Sequence, residues 1–107
     1  RDKTREIFMV IYLNGRNQIL QMEELFEGTL TTSAVYPREV VKRALDHAAA
    51  ALVFVHNHPS GNPKPSQDDI TITKKLKEAA EAIDVSVHDH LIIAGNEVYS
   101  FADNGLI

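Results

Sequence analysis

Apolar residues follow three different rhythms along this chain of 107 residues. Ile7 to Leu13 is dense in β-branched and aromatic side chains and predicts a strand. Asn14-Gly15 predicts a tight hairpin turn, and the chain returns from Gln18 to about Glu27 as a second, antiparallel strand. Gly28 to Tyr36 reads as a connection, a loop or a further short strand. Pro37 suits the first position of a helix, where its missing N–H is not needed. Val40, Val41, Ala44, Leu45 and Ala48 then repeat near every 3.6 residues and carry that helix to about Ala49. Ala51-Leu52-Val53-Phe54-Val55 is an unbroken apolar run, as expected of a buried strand ending at His56. Ile70, Ile72, Leu76, Ala79, Ala80 and Ile83 return to the helical rhythm from about Gln67 to Ala82. Val85 to Ala94 and Val98 to Phe101 are two more strands, separated by a Gly95-Asn96 turn. Helices and strands mix without strict alternation, which points to α/β or mixed α+β.

Length and composition narrow this further. One hundred and seven residues suit a single domain, large enough to bury a core without covalent staples. No cysteine is present, which excludes disulfides and thiolate metal sites and suits a reducing cytoplasm, the expected location. No apolar run approaches the ~20 residues of a membrane span, and no signal peptide is visible. The formal net charge is −4. The densest basic cluster, Lys74-Lys75-Lys77, is interleaved with Glu78 and Glu81 at helical pairing distances. It reads as a solvated helix face rather than a phosphate-binding stripe, so direct DNA binding by this domain is not expected.

The chemistry concentrates at His56-Asn57-His58-Pro59, followed by Ser66 and Asp69. In an extended strand His56 and His58 point the same way. Pro59, Gly61, Pro63 and Pro65 force an irregular loop. Ser66 then opens a helix with Asp69 in its first turn, so the loop can return the carboxylate to the two imidazoles. Nitrogen and oxygen donors in this combination suit Zn²⁺. Ser66-x-x-Asp69 is also a helix N-cap of the capping-box type; capping and ligation are compatible. Five fixed residues at ordinary usage would coincide by chance in on the order of one such chain in 10⁵.

The pattern H-x-H-P-x(6)-S-x(2)-D resembles the signature of the JAMM/MPN metalloprotease superfamily, which includes zinc isopeptidases acting on ubiquitin-like modifiers. The fuller string from His56 to Asp69 is similar to the bacterial RadC-like branch, historically labelled a DNA repair protein. Gly28-Thr29-Leu30, Pro37-Arg38-Glu39-Val40 and Asp89-His90-Leu91-Ile92-Ile93 agree with it, so the resemblance covers essentially the whole chain. It implies a three-layer MPN/cytidine-deaminase-like sandwich, a mixed β-sheet flanked by helices. It also implies one MPN (JAMM) domain over residues 1–107. The N-terminal helix-hairpin-helix region usual in RadC-like proteins has no match here, so the chain is expected to correspond to the C-terminal domain alone.

Roles follow from the resemblance. His56, His58 and Asp69 would be the metal ligands, with water expected as fourth ligand; three protein ligands and an open position mark catalytic rather than structural zinc. JAMM enzymes place a glutamate near the start of the domain as general base, and Glu6, directly before the first strand, holds that place. Glu23, Glu24 and Glu27 are weaker candidates. Ser66 corresponds to the serine that donates to the developing oxyanion. His88 and His90 would share a strand face, as a structural pair or as a support for a ligand. His47, late in its helix, suits the negative end of the dipole. The leading function is a zinc-dependent hydrolase of amide or isopeptide bonds acting on an unidentified protein or peptide-like substrate. Its rival is a weakly catalytic or non-catalytic metal-binding accessory domain in DNA repair. A metal-dependent nuclease is a third reading, disfavoured by the acidic charge.

Overall fold

The computed structural model describes residues 5–107. The element order is β1 (Ile7–Leu13), β2 (Ile19–Glu27), α1 (Pro37–Asp46), β3 (Ala51–Asn57), α2 (Gln67–Glu81), β4 (Ser86–Ala94) and β5 (Glu97–Ser100). The strands form one five-stranded sheet in the order β2-β1-β3-β4-β5. β1 pairs antiparallel with β2 and with β3, β3 runs parallel to β4, and β4 pairs antiparallel with β5. The mixed α/β class predicted from the sequence is therefore the class observed. The parallel pair needs a crossover, and α2 supplies it. Among the described residues no helix is long and apolar enough to cross a membrane.

Side-chain alternation decides what faces the helices. Phe8, Val10 and Tyr12 of β1, Leu52 and Phe54 of β3, and Val87 of β4 form one buried cluster with Val40 and Ala44 of α1 and Ile72, Leu76 and Ala80 of α2. The intervening residues Met9, Ile11, Val53, Val55 and Leu91 are only half-buried. Of the three layers that the resemblance implies, the described residues supply the sheet and the helical layer on one face. Leu30 and Val35, from the β2–α1 connection, close the core beside β1.

Three local expectations needed revision. The β1–β2 connection is not a two-residue Asn14-Gly15 turn. Asn14 N–H donates to the Gln18 carbonyl at 3.0 Å, and the Asn14 side chain accepts from Arg16 and Gln18 amides. The left-handed position falls to Asn17, at φ 60°, a residue that tolerates it. The first helix ends at Asp46, short of Ala49, because Ala48 takes φ 54° and the amides of Ala48 and Ala49 fold back to Leu45 and Ala44 carbonyls. His88 and His90 do not share a face. The β3–β4 register slips between Leu52 and Val53, so Val87 opposes Leu52 while Asp89 opposes Val53. His88 is the extra residue of this bulge and is exposed; His90 turns inward and is fully buried.

Candidate metal centre

β3 delivers His56 because it sits two residues beyond Phe54 on the helix-facing side, where it is 1% exposed. His58 lies just past the strand end. Its amide donates to the Ile93 carbonyl at 2.9 Å and keeps the chain beside β4 for one more residue. The loop then turns at Gly61, whose φ of +85° lies in the left-handed region that glycine adopts without strain. Ser66 caps α2: its side chain accepts the Asp69 amide at 3.0 Å, and Asp69 Oδ2 accepts the Ser66 amide at 2.8 Å. This reciprocal cap fixes the rotamer that aims Asp69 at the end of β3.

His56, His58 and Asp69 thereby come together, one donor atom of each lying within 4.8 Å of the others. His58 Nδ1 is 2.8 Å from the Asn62 carbonyl, which can only accept, so Nδ1 carries a proton. The other nitrogen, Nε2, faces Asp69 Oδ2 at 3.0 Å. In the neutral ring that contact sets lone pair against lone pair, an arrangement relieved by a second proton or by a cation between them. A ring N–H held by a carbonyl with the opposite nitrogen free is the usual orientation of a metal-ligating histidine. His56 Nδ1, buried and without a hydrogen-bond partner, is 3.7 Å from Asp69 Oδ1. Donor types, tautomer and orphaned nitrogen all fit a divalent metal of the zinc class.

Glu6 enters from β1. Phe8 opposes His56 in the antiparallel register, so Glu6, two residues earlier, projects to the same side. Its Oε2 is 2.5 Å from His56 Nε2 and accepts the Leu30 amide at 3.2 Å. Glu6, Thr29, Leu30, His58, Pro59, Ser60, Ser66 and Asp69 line a cleft of about 360 Å³. Since Ser66 Oγ accepts the Asp69 amide, its own hydrogen is left to donate into that cleft. The other acids lie elsewhere. Glu23 pairs with Arg43 at 3.2 Å and His47 at 3.1 Å, while Glu24 and Glu27 face Arg5.

His90 lies beneath the site, its ring 5.8 Å from that of His56 and stacked on Phe101 at 4.5 Å. Thr73 Oγ1 donates to the Asp69 carbonyl at 2.6 Å, so His90 Nδ1 must donate to Thr73, also at 2.6 Å. Burial, aided by His56 and His58, pushes the His90 pKa down to about 3, and the ring is neutral. His90 therefore supports the first turn of α2 from below. His88 instead meets Asn17 at 2.9 Å, far from the cleft. Sequence reasoning passed over Thr73, a polar residue on the buried face of α2, and Asn57, which appeared only as the spacer between two histidines. Thr73 carried one legible signal, its place four residues after Asp69, within back-bonding reach of that carbonyl.

A profile of the RadC-like JAB domain matches residues 1–106. A UPF0758 protein of Thiobacillus denitrificans is 53% identical over 105 residues, covering 98% of this chain and 47% of that protein. The UPF0758 protein YfjY of Escherichia coli K12 is 52% identical over 103 residues, 96% of this chain and 64% of the relative. YeeS of the same organism is 53% identical over 103 residues, 96% of this chain and 70% of the relative. The chain thus spans about half the length of several curated relatives that it matches.

Proposed function

This chain belongs to the RadC-like JAB domain family, and from that premise we propose that it is a zinc-dependent hydrolase of amide or isopeptide bonds. The observation that carries the reading is the convergence of His56, His58 and Asp69, with Glu6 in contact with His56 and lining the same cleft as His58 and Asp69. His56, His58 and Asp69 would hold the metal, which supplies Lewis acidity and brings the pKa of water toward ~7.

The chain's own residues account for the remaining steps. Glu6 accepts the proton of the attacking water and hands it to the leaving amine. The Leu30 amide holds one oxygen of that carboxylate and so limits its rotation. Ser66 donates to the oxygen that becomes negative as the carbonyl carbon turns tetrahedral, an electrostatic contribution of about 3 kcal/mol in comparable sites. His58 is oriented by Asn62, and Asp69 by Ser66 and Thr73. The domain acts on a protein or peptide-like substrate rather than on DNA, in keeping with its net charge of −4.

The test is hydrolysis of a panel of peptide and isopeptide substrates by zinc-loaded protein, beside chelator-stripped and Glu6→Gln protein. Cleavage confined to the zinc-loaded parent supports the reading. Zinc bound stoichiometrically with no cleavage of any member would transfer support to the accessory-domain reading.

A further inference from the structure

We propose that Asn57 is a positioning residue that holds Glu6 over the metal centre, acting as a side-chain substitute for a missing rung of the sheet. The proposal rests on the reading of Glu6 as the base. The main-chain pairing of β1 with β3 ends at Phe8 opposite His56. Beyond it two backbone groups still face β3, the Ile7 N–H at the start of β1 and the Arg5 carbonyl just before it, since residues of equal parity along an extended chain point their hydrogen-bonding groups the same way. Asn57 takes both. Its Oδ1 accepts from Ile7 N–H at 2.7 Å, and its Nδ2 donates to the Arg5 carbonyl at 2.7 Å. An asparagine amide carries the same donor and acceptor as a peptide group, so it extends the ladder where the backbone of β3 turns away toward His58.

Glu6 lies between the two clamped groups. Its own carbonyl points the other way and accepts the Gly28 amide at 2.8 Å, and its carboxylate accepts the Leu30 amide. The residue is fastened toward β3 by Asn57 and toward the β2–α1 connection by Gly28 and Leu30. A base must be held to within a fraction of an ångström to be effective, and Glu6 sits at a strand end, where fraying is expected without such a clamp. Asn57 points to the opposite side of β3 from His56 and His58. The three consecutive residues thus divide the work, the histidines facing the metal and the asparagine holding the neighbouring strand.

The experiment is a set of ¹H–¹⁵N spectra of the zinc-loaded protein, comparing the parent, Asn57→Ala and Glu6→Ala. The Ile7 amide reports the bond to Asn57; the Leu30 amide, which Asn57 does not touch, reports where the Glu6 carboxylate is. In Asn57→Ala the Leu30 signal is expected to move to its position in Glu6→Ala, with zinc content equal to the parent. A shifted Ile7 signal with Leu30 in place means that Asn57 only stiffens the strand end, and overturns the proposal. Loss of zinc from Asn57→Ala overturns the division of roles. Should the alanine variant fail to fold, Asn57→Asp takes its place. It has the same shape and keeps the acceptor but loses the donor to Arg5; a parent-like Leu30 signal there refutes the two-handed clamp. The readout sees position rather than turnover. An active Glu6→Gln protein would remove the base reading without touching this result, and an unmoved Leu30 would remove the clamp whatever Glu6 does.

Discussion

Asp69 Oδ2 lies 3.0 Å from His58 Nε2, and the same oxygen accepts the Ser66 amide that opens α2. One carboxylate thus belongs both to the candidate metal-ligand set and to the cap that begins a helix. The protein is expected to carry about one divalent metal per chain, and His58→Ala should lose it while remaining folded. Elemental analysis of both proteins decides this, with equal metal content refuting the site. Melting gives a second measure. Zinc at 100 times its Kd should stabilise the parent by about 2.7 kcal/mol and leave His58→Ala unchanged.

The double duty of Asp69 can be separated by substitution. Asp69→Asn keeps an oxygen for the Ser66 amide but removes the charge, so zinc affinity should fall sharply while apo stability changes little. Ser66→Ala does the reverse: it should cost about 1 kcal/mol of stability through the lost cap, bind zinc normally, and lower kcat about 10²-fold on any cleaved substrate. Paired melting curves and zinc titrations would show the two effects crossing; a Ser66→Ala protein that cannot hold zinc contradicts the assignment.

The Glu23 cluster should give the acid limb of stability a recognisable component. Burial raises the Glu23 pKa, but the contacts with His47 and Arg43 outweigh it, and the net shift is downward. A carboxylate held below its unfolded value of about 4.3 binds fewer protons folded than unfolded, so its contribution is full above that pH and disappears as pH falls through the lowered value. Glu23→Gln should melt lower at neutral pH by an amount that shrinks below about pH 4. A gap independent of pH would show that Glu23 contributes packing alone.

Duplex DNA should not bind this chain usefully at physiological salt. The net charge is −4, and Lys77 of the one lysine cluster is 3.8 Å from Glu81. An anisotropy titration is expected to stay flat. Sub-micromolar binding that weakens steeply with salt would refute this.

The convergence of His56, His58 and Asp69 was legible because its geometry is local: alternation along β3, a proline-broken loop and a helix cap bring the three together within fourteen residues. Strand order and the burial of His90 were not, since both depend on pairing between distant segments. The His88–His90 alternation failed for that reason, as a bulge arises from the register of two strands and leaves no mark in either alone. The hairpin at Asn14 misled because Asn-Gly is a strong turn signal and Asn17 offered a competing left-handed site. Asn57 was invisible because its hydrogen bonds to Ile7 and Arg5 exist only once β1 lies alongside β3.

Glu6 is where local reading and long-range geometry meet. Its place before β1 suggested a base, but only the β1–β3 register turns its carboxylate toward His56. The 2.5 Å contact between Glu6 Oε2 and His56 Nε2 places the acid beside the candidate ligand cluster, where a base acting on a metal-held water would have to lie. Glu6→Gln removes the proton acceptor, keeps the length of the side chain and leaves an oxygen for the Leu30 amide. Zinc content and melting temperature should therefore stay near the parent, while kcat falls by about 10²–10⁴, the usual contribution of a general base, with KM little changed. Loss of zinc would instead place Glu6 among the ligands. An unchanged rate with zinc retained would end its role as base and send the search to another acid or to a partner chain.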